Sequence, residues 1–137
     1  MPDDVVLNKA AIIERCVARV REEHAGDARN LTDNLTRQDS IILNRQRACE
    51  AAIDLAMHLV RERRLGIPQE SREGFELLAV AGHLPRDLAD SLKRMVGFRN
   101  VAVHDYRKID LAIVEAIVAR HLPEPLTFAQ LAVTTFG

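Results

Sequence analysis

Aromatic side chains are scarce in this chain, with four Phe, one Tyr and no Trp among 137 residues. What apolar content there is comes from Ala, Leu, Val and Ile, interleaved with Arg and Glu, a mixture that favours helices over sheet. An excess of charge is also missing. Nineteen Lys and Arg stand against 20 Asp and Glu, for a formal charge of −1. The chain therefore has no basic tail and no global nucleic-acid signature, so any such contact has to come from a local patch. Cysteine is limited to Cys16 and Cys49, both in helical apolar patterns. We expect buried free thiols in a reducing cytoplasm. No CxxC and no HxxxH pair occurs, which argues against a structural zinc site, and no metal or cofactor is expected. No apolar run reaches membrane length, and no signal peptide, internal repeat or low-complexity segment is found.

The length fits one domain over residues 1–137, large enough to bury a substantial core. Hydrophobic periodicity predicts an all-α, antiparallel bundle of about five helices plus a short C-terminal one. The first helix runs from about Asp3 to His24. Its apolar stripe is Val6, Ile13, Val17 and Val20, widened by Val5, Ile12 and Cys16, and it stops at Gly26. A polar link, Asp27 to Asp33, leads to a long second helix from roughly Arg37 to Leu65. Thr36 and Asp39 resemble a capping box there. Ile42, Cys49, Ile53, Ala56 and Val60 form its core face, and Gly66 then Pro68 end it.

Ser71 is placed to cap a short third helix through Phe75, Leu78 and Ala79, ending at Gly82. Pro85 opens the fourth as a first-turn proline. Leu88, Leu92, Met95 and Val96 are its inner face. Asp110 caps a fifth helix carrying Ile113, Ile117 and Val118, which Pro123 and Pro125 break. Thr127 and Gln130 form a second capping-box pattern that would start the C-terminal helix.

The chemistry concentrates in Arg99-Asn100-Val101-Ala102-Val103-His104-Asp105-Tyr106, at the end of the fourth helix and just beyond it. A guanidinium stays charged at every working pH and binds phosphate oxygens two at a time. An imidazole exchanges a proton near pH 7. The pair suits cleavage of a phosphodiester without a metal. Five residues turn a helix by roughly 140° beyond a full revolution, so Arg99 and His104 are not on one line. Asn100 and His104 are, at i,i+4, and the long arginine stem can swing toward them. The plainer alternative is a helix C-terminus with its usual basic residues.

Arg99, four residues, His104, one residue and Tyr106, with Asn100 after the arginine and an amphipathic helix before it, resemble the signature of HEPN-domain proteins. The wider chain resembles the HepT subfamily, the toxin half of a toxin–antitoxin pair. Ala51-Ala52-Ile53-Asp54-Leu55-Ala56-Met57-His58-Leu59, Gly66-Ile67-Pro68 and Phe75-Glu76-Leu77-Leu78 are of the same type, and the likeness extends over roughly residues 5–122. The resemblance implies a homodimer in which motifs from both subunits line one cleft. It also implies metal-independent RNA cleavage with Arg99 and His104 as the catalytic pair. Asn100 and Tyr106 would support them, and a partner nucleotidyltransferase antitoxin would neutralise the toxin by moving AMP onto Tyr106. Two other readings are open: a helical module that binds nucleotides or RNA and cuts nothing, and a purely structural subunit.

Other polar features have two readings each. Tyr106 can be a half-buried tyrosine over a helix end, or the AMP acceptor and an RNA contact. Glu50, Asp54 and His58 form a stripe at i,i+4,i+8, flanked by Arg47 and Arg61. It is either a solvated face or, through Asp54 and His58, a second tier of support for the cleft or an antitoxin contact. Arg61-Glu62-Arg63-Arg64 is a solvated helix end or a track for an RNA backbone. His24, His83 and His121 are expected to cap helices or lie on the surface.

Overall fold

The computed structural model describes the backbone of residues 3–104 and 110–136, and the side chains of 3–98 and 110–136. Among these residues there are seven helices and no strand: α1 (Asp4–His24), α2 (Arg29–Thr32), α3 (Leu35–Glu62), α4 (Glu73–Val80), α5 (Arg86–His104), α6 (Leu111–Arg120) and α7 (Pro123–Phe136). The expected all-α bundle is what is found. α2, α3, α4 and α7 differ in part from the sequence expectation, each for a local cause.

The stripe on α1 is real. Val6, Ile13, Val17 and Val20 are sealed against α3 and α7, and each such side chain contributes about 1.5–3 kcal/mol on burial. Val5, expected to widen the stripe, is 40% exposed and faces outward. Asp3 caps the helix by accepting from the Val5 and Val6 amides at 3.0 and 3.2 Å. At the other end Ala25 takes the left-handed conformation one residue ahead of Gly26, with φ of 52°, and its amide returns to the Arg21 carbonyl.

The stretch read as a polar link contains the one-turn helix α2. Leu31 is fully buried, and its carbonyl accepts from the Gln38 side chain at 3.0 Å. Asp27 receives the Arg29 amide, and the Asn30 side chain donates to the His24 carbonyl. Leu31 is the one large apolar residue in this stretch and sets no period, so sequence pattern could not reveal the helix.

α3 starts two residues earlier than expected. Asn34, not the Thr36/Asp39 pair, is the cap, accepting from the Arg37 amide at 3.0 Å. The five core residues foreseen on α3 are all buried. α4 lies close against it because Gly74 has no side chain: a Cβ there would stand 3.2 Å from that of Ala56. Ser71 does not cap α4. Its entry is held instead by Glu73, which accepts from the Gln69 amide.

α7 is the largest departure. It begins at Pro123 and runs 14 residues, so the two prolines open the helix rather than separate it from α6. A proline in the first turn has no amide to miss there. Thr127 is no cap: its hydroxyl donates back to the Pro123 carbonyl one turn earlier. Phe128 of α7 meets Phe75 of α4 edge-on, ring centres 5.5 Å apart, at the centre of the core.

Candidate functional site

α5 positions the motif. Ala89, Leu92 and Val96 are buried along its inner face, spaced to fix the helix rotation. Its first turns are tied to α4, where Glu76 accepts from Arg86 at 2.6 and 3.0 Å and from Lys93 at 2.8 Å. Those two cations hold the Glu76 carboxyl down at about 2, Arg86 first. Further along, the Cys49 thiol of α3 lies 3.9 Å from the Met95 carbonyl. The guanidinium of Arg45, also on α3, stacks on the Phe98 ring at 4.3 Å. The helix is therefore pinned to its neighbours up to the residue before Arg99.

Arg99, Asn100 and His104 belong to one unbroken helix, in its last turn and a half, with Asn100 and His104 one turn apart. Their side chains, and all of Tyr106, lie outside the described residues. Backbone continuity thus brings the arginine and the histidine to one end of one helix. Asp110 resumes the described chain by capping α6, accepting from the Ala112 amide at 2.8 Å.

The polar stripe on α3 turns toward α1. Asp54 is exposed and pairs with Lys9 at 3.2 Å. His58 is 8% exposed, and its Nε2 meets the Asp3 carboxylate at 2.7 Å. That bond is the main reason the Asp3 carboxyl sits below its usual range, ahead of the bonds from the helix amides. Asp3 so joins the start of α1 to the C-terminal end of α3, a link no local pattern discloses.

The remaining histidines correct the expectation in part. His24 is buried, not superficial, and pairs with Glu115 of α6 at 2.7 Å. His83 packs edge-on against Phe136, and His121 is an exposed partner of Glu124. Each of His24, His58 and His121 meets one carboxylate. Among the described residues no three His, Cys, Asp or Glu side chains converge as metal ligands would. Cys16 and Cys49 are buried thiols outside any disulfide, as expected, and burial pushes the Cys16 thiol up. Arg61 to Arg64 are exposed, with the Arg63 guanidinium lying 4.6 Å over Phe136.

Sequence reasoning missed Arg45. It occupies the buried α3 face one turn after Ile41 and one turn before Cys49, and is 7% exposed. A lone arginine within an apolar stripe was the available signal. Burial pushes its pKa down to about 10, which leaves it charged at neutral pH.

The all-helical bundle has the fold of a HEPN-type protein. Residues 13–132 match the family described as ribonuclease HepT-like. The chain belongs to that family. It is 48% identical to an mRNA nuclease HepT of Shewanella oneidensis over 122 residues, 89% of this chain and 91% of the relative. Its fold matches that of a tri-AMPylated HEPN toxin from the same organism, solved in complex with MNT antitoxin. The TM-score is 0.90 at 45% identity, covering 96% of this chain and 98% of the other. A toxin–antitoxin structure with AMP-PNP matches with a TM-score of 0.90 and 44% identity, over 96% and 99% of the two chains. Among the described residues no helix is long and apolar enough to cross a membrane.

Proposed function

We propose that this chain is the toxin of a toxin–antitoxin pair: a cytoplasmic endoribonuclease, acting as a homodimer, that cuts RNA through Arg99 and His104 without a metal. The observation that carries the proposal is 48% identity, along nearly the whole chain, to an mRNA nuclease. The arginine and histidine at the end of α5 supply the chemistry that such an activity needs. His104 takes the proton from a ribose 2′-hydroxyl, whose oxygen attacks the adjacent phosphorus. The 5′-oxygen leaves with a proton, giving a 2′,3′-cyclic phosphate and a 5′-hydroxyl. Arg99 neutralises the charge that grows on the phosphorane. Asn100, one turn before His104, orients the imidazole or holds the phosphate. Asp54 pairs with Lys9 of α1 and His58 with Asp3, the residue that caps α1, and any support they lend the cleft would pass through these contacts.

Control rests on Tyr106. A nucleotidyltransferase antitoxin would direct its phenol oxygen onto the α-phosphorus of a nucleoside triphosphate, expelling pyrophosphate and leaving AMP on the tyrosine. The support is that two structurally similar proteins are an AMPylated toxin held by its antitoxin class and a toxin–antitoxin pair with AMP-PNP. A phosphate beside the cleft would repel an RNA backbone and offer Arg99 a competing anion.

The test is cleavage of a labelled RNA by the purified chain in excess EDTA. We expect cyclic-phosphate ends, a loss of about 10²–10⁴ in rate for His104→Ala, and failure of Arg99→Lys, which keeps the charge and loses the two-pronged donor. Equal growth arrest by the natural chain, Arg99→Ala and His104→Ala would reject the nuclease and leave a binding module. Intact mass after co-expression with the antitoxin, for the natural chain and Tyr106→Phe, tests the modification.

A further inference from the structure

A cavity of about 250 Å³ opens between α5, α6 and the start of α7, with Arg45 of α3 in its wall. Its other walls are mostly apolar, with Ala48, Met95, Ile117, Leu122 and Pro125 among them. Among the described residues no carboxylate, carbonyl or hydroxyl accepts a hydrogen bond from the Arg45 guanidinium; one face of it is covered by the Phe98 ring at 4.3 Å. The carboxylate of Glu124, which also lines the cavity and attracts Arg45, has its Oε1 bonded to His121. Arg45 is 7% exposed, and among the described residues no fully buried side-chain nitrogen or oxygen lacks a partner, so its unbonded guanidinium donors keep contact with the open space of the cavity. Arg94 adds a second positive charge to the lining, and among the described residues its bond goes to Ser91.

We propose that this cavity is a binding site for a small organic anion. The ligand's flat apolar body fills the space between α5 and α6, and its carboxylate or phosphate receives hydrogen bonds from Arg45. Enclosed, apolar walls with one buried point of opposite charge are the usual composition of a small-molecule site, and the pre-stacked guanidinium loses little freedom on binding. Ile113 stands half-exposed beside the opening, which gives a ligand an apolar entry. The test of this site does not depend on RNA cleavage.

The experiment compares two fluorescent probes on the full chain: 1-anilinonaphthalene-8-sulfonate, whose sulfonate stands in for the ligand's anionic group, and uncharged N-phenyl-1-naphthylamine. We expect the sulfonate to bind at least tenfold tighter than the neutral probe. Arg45→Met should abolish that preference and Arg45→Lys should keep part of it. Ile113→Glu, a change at an exposed position that leaves the core intact, should weaken the sulfonate several-fold more than the neutral probe. Displacement by adenosine monophosphate would assign the anion to a nucleotide phosphate, and displacement by indole-3-acetate to a carboxylate. Equal binding of the two probes, insensitivity of the preference to Arg45→Met and Ile113→Glu, or displacement by neither competitor at millimolar concentration would each overturn the proposal.

Discussion

α3 buries a charged or chargeable side chain at two points, and they are treated oppositely. Near its C-terminal half, His58 is closed off from solvent but has a carboxylate at 2.7 Å, supplied by the residue that caps α1. Near its N-terminal half, Arg45 is equally closed off and has only an aromatic face and a cavity. The first arrangement is structural: a polar atom that meets its partner, so that two distant helices are locked in register. The second leaves donors unspent beside empty space, which a fold retains at some cost to its stability. The same physical rule, that buried polar groups must be satisfied, thus reads one site as a rivet and the other as a receptor.

Replacing each group should move stability in opposite directions. His58→Ala removes a charge-assisted bond and leaves a gap between α1 and α3. A loss of about 2–3 kcal/mol is expected in urea unfolding. Arg45→Met keeps the volume and removes an unpaired charge, so the expected change is from none to about 1 kcal/mol of added stability. Two losses of similar size would mean that Arg45 too is mainly structural.

Acidification sharpens the contrast further. The Asp3 carboxyl is depressed below its ordinary 3.8, first by His58. A group with a lowered folded-state pKa contributes stability that is present above the unfolded value and is lost as pH falls through the folded one. The stability gap between the natural chain and Asp3→Asn should therefore be full at neutral pH and close as the pH drops below about 4. Arg45→Met should show no such closing, because its charge does not change in that range. A gap for Asp3→Asn that stays constant down to strong acid would detach Asp3 from the His58 bond.

The bundle was legible because its long helices carry unbroken stripes. Val6 to Val20 on α1, and Ile42 to Val60 on α3, are buried as the spacing requires. Ends and links were less so. Leu31 buries a one-turn helix with no neighbour to set a period, and Asn34 rather than Thr36 took the cap because either polar residue could have served. Pro123 and Pro125 pointed to a break, while the first turn of a helix tolerates both. Ile113 followed the apolar rhythm of α6 yet is half-exposed, because the cavity and not the core lies beside it. The motif from Arg99 to His104 was read through its resemblance to a family pattern, and its side chains lie outside the described residues. The partners of His58, His24 and Arg45 were not legible, since Asp3, Glu115 and Phe98 are each more than 50 positions away and only packing brings them close.

The smallest expected effect lies at the end of α1 opposite to Asp3. There Ala25 holds φ of 52° and ψ of 29°, a conformation that places a Cβ too near the following carbonyl oxygen. Gly26 follows at φ of 72° and is spared this contact. Ala25 is exposed, so nothing packs on its methyl group in return for the strain. Ala25→Gly relieves the clash and widens the unfolded ensemble, two effects of opposite sign. Left-handed strain in alanine is about 1–2 kcal/mol, and the entropy lost on fixing the glycine offsets roughly half of it. The net expectation is about 0.5 kcal/mol of added stability, or a melting temperature about one to two degrees higher. A fall would show that the exposed methyl matters more than the backbone. In that case α1 would be held at its far end by the His24 bond to Glu115, as it is held at its start by Asp3 and His58.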